Sequence, residues 1–216
     1  MDKRDDGKPP ASHDGSSRGL SRRDFIKVTG AVVPAGVLVG ERLLHAEAAA
    51  AADVVGPGAV PITLRINGET HNLSVEPRVT LLDALRDRLA ITGAKKVCDR
   101  ATCGACTVLV NGKAIYACST LAIDAQSRDI VTIEGLAPEG ELHPVSAAFV
   151  DHDAQQCGFC TPGFVVATAA FLHRHPDPTY EEVKAGLGGN LCRCGTYVGL
   201  RQAALDAAQR MKGGLA

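Results

Sequence analysis

Tryptophan is absent from the 216 residues, and three Tyr and five Phe bring the aromatic fraction to only 4%. A chain so poor in flat rings offers no platform for stacking bases. An excess of one charge is also missing, since 23 Lys and Arg face 24 Asp and Glu for a net charge of −1. Beyond residue 50 the balance is −2, with 15 basic against 17 acidic side chains. Nucleic-acid binding relies on a strongly basic face, so this balance argues against such a partner. No apolar run approaches the roughly 18 residues needed to span a bilayer, and no Gly-rich nucleotide-binding fingerprint occurs. With 45% hydrophobic and 22% charged residues the chain reads as globular. What it does have is cysteine: eight residues, falling into two separate groups.

Residues 21–27 read S-R-R-D-F-I-K, followed by a moderately apolar stretch from Val28 to Gly40 and an A-x-A pattern at Ala46-Glu47-Ala48. Ser21, Arg22, Arg23, Phe25 and Lys27 resemble a twin-arginine export signal, and the glycine-interrupted run is too short for an anchor. The resemblance implies a periplasmic protein, carried by the twin-arginine machinery after its cofactors are inserted. Residues 1–50 are therefore set aside as a leader and 51–60 as a Gly/Pro-containing linker.

The next stretch, 61–136, reads as a small α+β domain. Ile62 to Ile66 alternates with the period of a half-buried strand. Asn67-Gly68 signals a hairpin turn and His71 to Val75 the returning strand. Thr80 caps a helix running to about Leu89, with Leu81, Leu82, Leu85 and Leu89 as its buried stripe. A second hairpin, Thr107–Val110 and Ala114–Cys118, turns at Asn111-Gly112, and a last strand spans Asp129–Ile133. In 137–216 the period changes. Four helices are expected near 143–153, 162–174, 179–186 and 197–211. Thr161 is expected to cap the second ahead of Pro162, and Gly188-Gly189-Asn190 to break the third.

The first cysteine group, C-D-R-A-T-C-G-A-C over residues 98–106, places Cys98, Cys103 and Cys106 in one loop, with Cys118 beyond the second hairpin. This C-x4-C-x2-C…C spacing is that of plant-type [2Fe–2S] sites. Two irons and two sulfides need four thiolates, and the buried negative charge needs N–H donors facing it. A loop that points its backbone at the sulfurs needs small residues, here Ala101, Gly104 and Ala105. Zinc, which usually takes ligands in short pairs, fits this loop poorly. Disulfides are open to an exported protein, but three cysteines within nine residues are hard to pair locally.

The second group joins Cys157 and Cys160, at the mouth of a helix, to Cys192 and Cys194. Helix starts near Pro162 and Thr196 direct free N–H groups and positive dipole ends toward whatever these cysteines bind, favouring an anion. By spacing alone zinc stays open here. A redox dithiol at Cys157 and Cys160 lacks the surrounding βαβ pattern.

Taken together, C-D-R-A-T-C-G-A-C, Cys118, Q-C-G-F-C-T-P-G and G-N-L-C-R-C-G-T-Y resemble the small iron–sulfur subunit of the molybdenum hydroxylases, the xanthine oxidase and aldehyde oxidoreductase family. The resemblance covers about residues 60–211. It implies a ferredoxin-like β-grasp domain holding one [2Fe–2S] cluster by Cys98, Cys103, Cys106 and Cys118. A four-helix domain then holds another by Cys157, Cys160, Cys192 and Cys194. It further implies a large partner subunit with a molybdopterin cofactor, in the cytosine dinucleotide form, contacted by Gln156 and Cys194. Electrons would pass through the helical-domain cluster to the ferredoxin-like one, then to FAD on a further subunit or to a cytochrome. No residue of this chain would carry out the hydroxylation, whose substrate is an aldehyde or an N-heteroaromatic. The other readings are a free two-cluster ferredoxin and a zinc- or disulfide-stabilised secreted binding module. Among quieter residues, His143 reads as a helix-entry residue, His173 and His175 as helix C-terminal, and Phe164, Thr168 and Phe171 as core. Arg100, Arg193 and Asp99, inside the cysteine loops, are open between tuning and simple solvation.

Overall fold

Alternation along Val60–Ile66 (β1) turns Ile62, Leu64 and Ile66 into the core. The computed structural model describes Arg23, residues 55–137 and residues 140–213. The expected leader, Arg23 apart, lies outside the described residues. β1 pairs antiparallel with Glu69–Val75 (β2). The turn between them puts Asn67 at φ 52° and Gly68 at φ 85°, the doubly left-handed geometry that suits the strand twist. Thr107–Val110 (β3) and Lys113–Tyr116 (β4) repeat the device, with Asn111 at φ 48° and Gly112 at φ 74°. Asp129–Val131 (β5) enters between the hairpins, parallel to β1 and antiparallel to β3. The mixed sheet has the order β2-β1-β5-β3-β4.

Thr80 caps as expected, its hydroxyl accepting from Asp83 N–H at 3.1 Å. The helix itself differs from the expectation. Leu81–Asp83 (α1) is α-helical, and Ala84–Arg88 widens into a π-helical turn instead of continuing to Leu89. Two tethers draw the chain back early. Ile91 N–H donates to the Leu85 carbonyl at 2.9 Å, and the Arg86 guanidinium donates to the carbonyls of Thr92 and Ala94 at 2.7 and 2.8 Å. The leucine stripe still works: Leu81, Leu82 and Leu85 are fully buried beneath the sheet, while Leu89 is half-buried against it. Both later strands are shorter than expected. β4 stops at Tyr116, because Ala117–Ser119 forms a 3-10 turn that buries Cys118. β5 stops at Val131, because Thr132 turns to Asn67, whose carboxamide oxygen accepts from Thr132 N–H at 2.9 Å.

A second core lies among Pro144–Asp151 (α2), Thr161–Arg174 (α3), Tyr180–Gly186 (α4) and Tyr197–Lys212 (α5). His143 caps α2, its Nδ1 accepting from Val145 N–H at 3.2 Å. Thr179 and Glu182 form a reciprocal capping box on α4. Thr161 is not the cap of α3. Cys160 holds that position, its carbonyl accepting from Phe164 N–H at 3.1 Å, and the Thr161 hydroxyl is buried without a partner. Phe164, Thr168 and Phe171 are core residues. Phe171 stacks on His175, centroids 4.7 Å apart. Among the described residues no helix is long and apolar enough to cross a membrane.

α3 joins the two cores by packing against β3 and β4. The approach is close because Gly163 has no side chain: a Cβ there would lie 2.5 Å from the Gly104 carbonyl oxygen.

Candidate metal centres

Residues 98–106 make a loop that repeatedly turns left-handed, at Asp99 (φ 55°), Ala101 (φ 53°) and Gly104 (φ 69°). Two of the three are not glycine, so the loop holds backbone strain of the kind found at functional sites. The strain directs N–H groups inward. Ala101 N–H donates to Cys118 Sγ at 3.2 Å and Thr102 N–H to Cys98 Sγ at 3.4 Å. The thiol of Cys103 sits beside that of Cys98, and the thiol of Cys118 beside that of Cys106. Cys98 has a pKa lowered to about 6: burial raises it, but N–H donors at Arg100, Thr102 and Cys103 outweigh that. Cys106 is pushed up to about 12, chiefly by burial. Tyr116 is raised too, by burial and then by the negative charge that Cys106, Cys103 and Cys98 would carry.

The second group is built on helix starts. Cys160 is the residue from which α3 departs, and Thr196 is that of α5. Left-handed geometry falls here on glycine, at Gly158 (φ 76°) and Gly195 (φ 82°). Again the sulfurs form two pairs, Cys157 with Cys194 and Cys160 with Cys192. Cys192 is lowered to about 7, the Thr196 hydroxyl and backbone outweighing burial, with the oxygen 3.2 Å from the sulfur. Cys160 is pushed up to about 12 by burial and by its partner Cys192. Tyr197 braces the loop, its hydroxyl accepting from Cys192 N–H at 2.8 Å. Cys157 and Cys194 are exposed, as are Gln156 and Phe159, whereas Cys106, Cys118 and Cys192 are buried.

The cysteines lie in two groups, Cys98, Cys103, Cys106 and Cys118 in one and Cys157, Cys160, Cys192 and Cys194 in the other. Each set fits a two-iron cluster, because it offers two thiol pairs and inward N–H donors. Among the described residues no three His, Cys, Asp or Glu side chains converge as they would on one metal ion. Arg100 and Arg193 are exposed, Arg100 donating to the Cys98 carbonyl at 3.2 Å.

Sequence reasoning missed the residues that join the two loops. Leu191 N–H donates to the Cys103 carbonyl at 2.9 Å, one residue before Cys192. Tyr116 donates to the Gly189 carbonyl at 2.8 Å, and the Asn190 carboxamide donates to the Gly104 carbonyl at 2.9 Å. Asn190 read only as a helix breaker; its one signal was its place directly ahead of Leu191-Cys192.

The 2Fe-2S iron-sulfur cluster binding domain family matches residues 64–130, and the [2Fe-2S] binding domain family matches residues 132–205. The aldehyde oxidoreductase iron-sulfur-binding subunit PaoA of Escherichia coli (strain K12) is 41% identical over 215 residues, 93% of each chain. The nicotine 6-hydroxylase small subunit of Paenarthrobacter nicotinovorans is 45% identical, over 68% of this chain and 89% of that one. Among solved structures, quinoline 2-oxidoreductase from Pseudomonas putida 86 superposes with a TM-score of 0.70 at 37% identity, over 73% of this chain and 99% of the other. These likenesses run through both cysteine sets and both cores, and the chain belongs to the [2Fe–2S] iron–sulfur subunits of the molybdenum hydroxylase family.

Proposed function

We propose that the chain is the electron-transfer subunit of a periplasmic molybdenum hydroxylase. In this reading Cys98, Cys103, Cys106 and Cys118 hold one [2Fe–2S] cluster in a ferredoxin-like β-grasp domain, residues 61–136. Cys157, Cys160, Cys192 and Cys194 hold the other in a four-helix domain, residues 137–216. The observation that carries it is the match of two [2Fe–2S] binding families, each spanning one complete set of four cysteines. That match favours clusters over zinc.

Exposure supports a direction of flow. Gln156, Cys157 and Cys194 lie at the surface, where a large molybdopterin-bearing subunit can reach them, with Gln156 and Cys194 toward the pterin. From there the Leu191–Cys103 hydrogen bond leads on to the Cys98 set, and thence to FAD on a further subunit or to a cytochrome. The PaoA match spans 93% of this chain, which favours an aldehyde as substrate over an N-heteroaromatic. The S-R-R-D-F-I-K sequence supports export by the twin-arginine machinery.

Iron and acid-labile sulfide, with EPR of the dithionite-reduced protein, test this directly. About four of each per chain and two distinct signals are expected. Absence of iron in protein never exposed to oxygen would overturn it. Replacing Arg22 and Arg23 by lysine should leave the chain in the cytoplasm, and normal export of that variant would remove the periplasmic assignment.

A further inference from the structure

The Gly104–Ala105 peptide lies where the two halves meet, and its carbonyl is crowded with donors. Thr107 supplies its N–H at 3.1 Å and its hydroxyl at 2.6 Å, and Asn190 supplies Nδ2 at 2.9 Å. Asn190 comes from the helical half, is only 6% exposed, and also reaches Thr107 Oγ1 at 3.3 Å. Space is tight on this side. A Cβ on Gly104 would lie 2.6 Å from the Asn190 carboxamide.

A trans peptide carries its N–H opposite its carbonyl. With the carbonyl turned to Asn190, Ala105 N–H points the other way, into the turn that carries Cys103 and Cys106. Ala105 is buried, and among the described residues its N–H has no acceptor. A buried N–H is nearly always paired, so this donor is left for whatever the four thiols hold. Such a donor stabilises added negative charge at a cluster and raises its potential.

We infer that Asn190 is a positioning residue: by anchoring the Gly104 carbonyl, it keeps Ala105 N–H turned toward the cluster of the Cys98 set and raises that site's potential. The helical half thus tunes the β half, across a sequence gap of 86 residues. The inference rests on the assignment of the two cysteine sets to [2Fe–2S] clusters.

The test is an EPR-monitored redox titration of the iron-loaded protein, in wild type, Asn190→Leu and Thr107→Val. Cys98→Ser identifies the signal of the first set. In Asn190→Leu that signal should titrate at a lower potential while the other keeps its midpoint. Thr107→Val, which removes a donor to the same carbonyl, should shift the same signal in the same direction. The double variant should fall short of the sum. An unchanged first midpoint in Asn190→Leu, or equal shifts at both sites, would overturn the inference. If Asn190→Leu does not load iron, Thr107→Val decides alone, and its unchanged midpoint would be the contrary result. A wild-type protein without iron would instead break the cluster assignment.

Discussion

The two cysteine sites solve one problem with different materials. The first is wrapped by a loop whose left-handed positions include Asp99 and Ala101, with two of its thiols buried behind β3 and β4. The second rests on the starts of α3 and α5, places its left-handed residues on glycine, and exposes Cys157 and Cys194. One site gets its N–H donors from a bent loop and the other from helix ends that have spare donors in any case. In the first loop the left-handed turns at Asp99, Ala101 and Gly104 make the concavity that points N–H groups inward.

This contrast breaks most sharply at the ligands. Cys118→Ala and Cys194→Ala should each remove about half the iron. They should differ in the metal-free chain, where Cys118→Ala leaves a cavity and costs stability, while Cys194→Ala stays within about 0.5 kcal/mol of wild type. Chemical denaturation beside an iron assay reads both, and equal costs would erase the difference in burial. Next comes the joint that both sites share. Gly163→Ala sets a Cβ against the Gly104 carbonyl oxygen and should destabilise by about 1–3 kcal/mol. A melting temperature equal to wild type would show that α3 is free to shift away.

A smaller effect separates the helix caps. Thr80 does not titrate, but His143 does, and burial holds its pKa below the ordinary 6.5. Its neutral Nδ1 is the acceptor for Val145 N–H. A depressed histidine contributes stability above the unfolded value, and that contribution is lost as pH falls through 6.5 toward the lower folded value. Stability should therefore decline between pH 7.5 and 5.5, roughly the range over which histidine titrates. His143→Asn, a cap that does not titrate, should flatten the decline; identical slopes would refute the linkage. Smallest is the loop strain itself. Ala101→Gly should stabilise the metal-free protein by up to ~1 kcal/mol, and Gly158→Ala should do the reverse by a similar amount.

Much of this was legible beforehand. Asn67-Gly68 and Asn111-Gly112 announce both hairpins, because few other pairs accept two left-handed residues in succession. The cysteine spacing sorts eight thiols into two sets because ligand geometry constrains short loops. What stayed hidden depends on partners distant in sequence. The widening at Ala84–Arg88 follows from tethers to Ile91, Thr92 and Ala94. The parallel seat of β5 beside β1, and the grip of Asn190 on Gly104, join segments that no local period connects. Thr161 shows the opposite failure, a good capping residue displaced by one position because the cysteine beside it takes the cap.

The surface placing of Cys157 and Cys194 sets an order of events in the life of the chain. Two neighbouring thiols open to solvent are also the pair an oxidant meets first. A disulfide between them would take two of the four thiols of the helical site and shut it to metal. The buried thiols of the other set have no such exposure. In an oxidising compartment the metal-free protein therefore has a short useful life, ended at one site before the other, and loading has to come first.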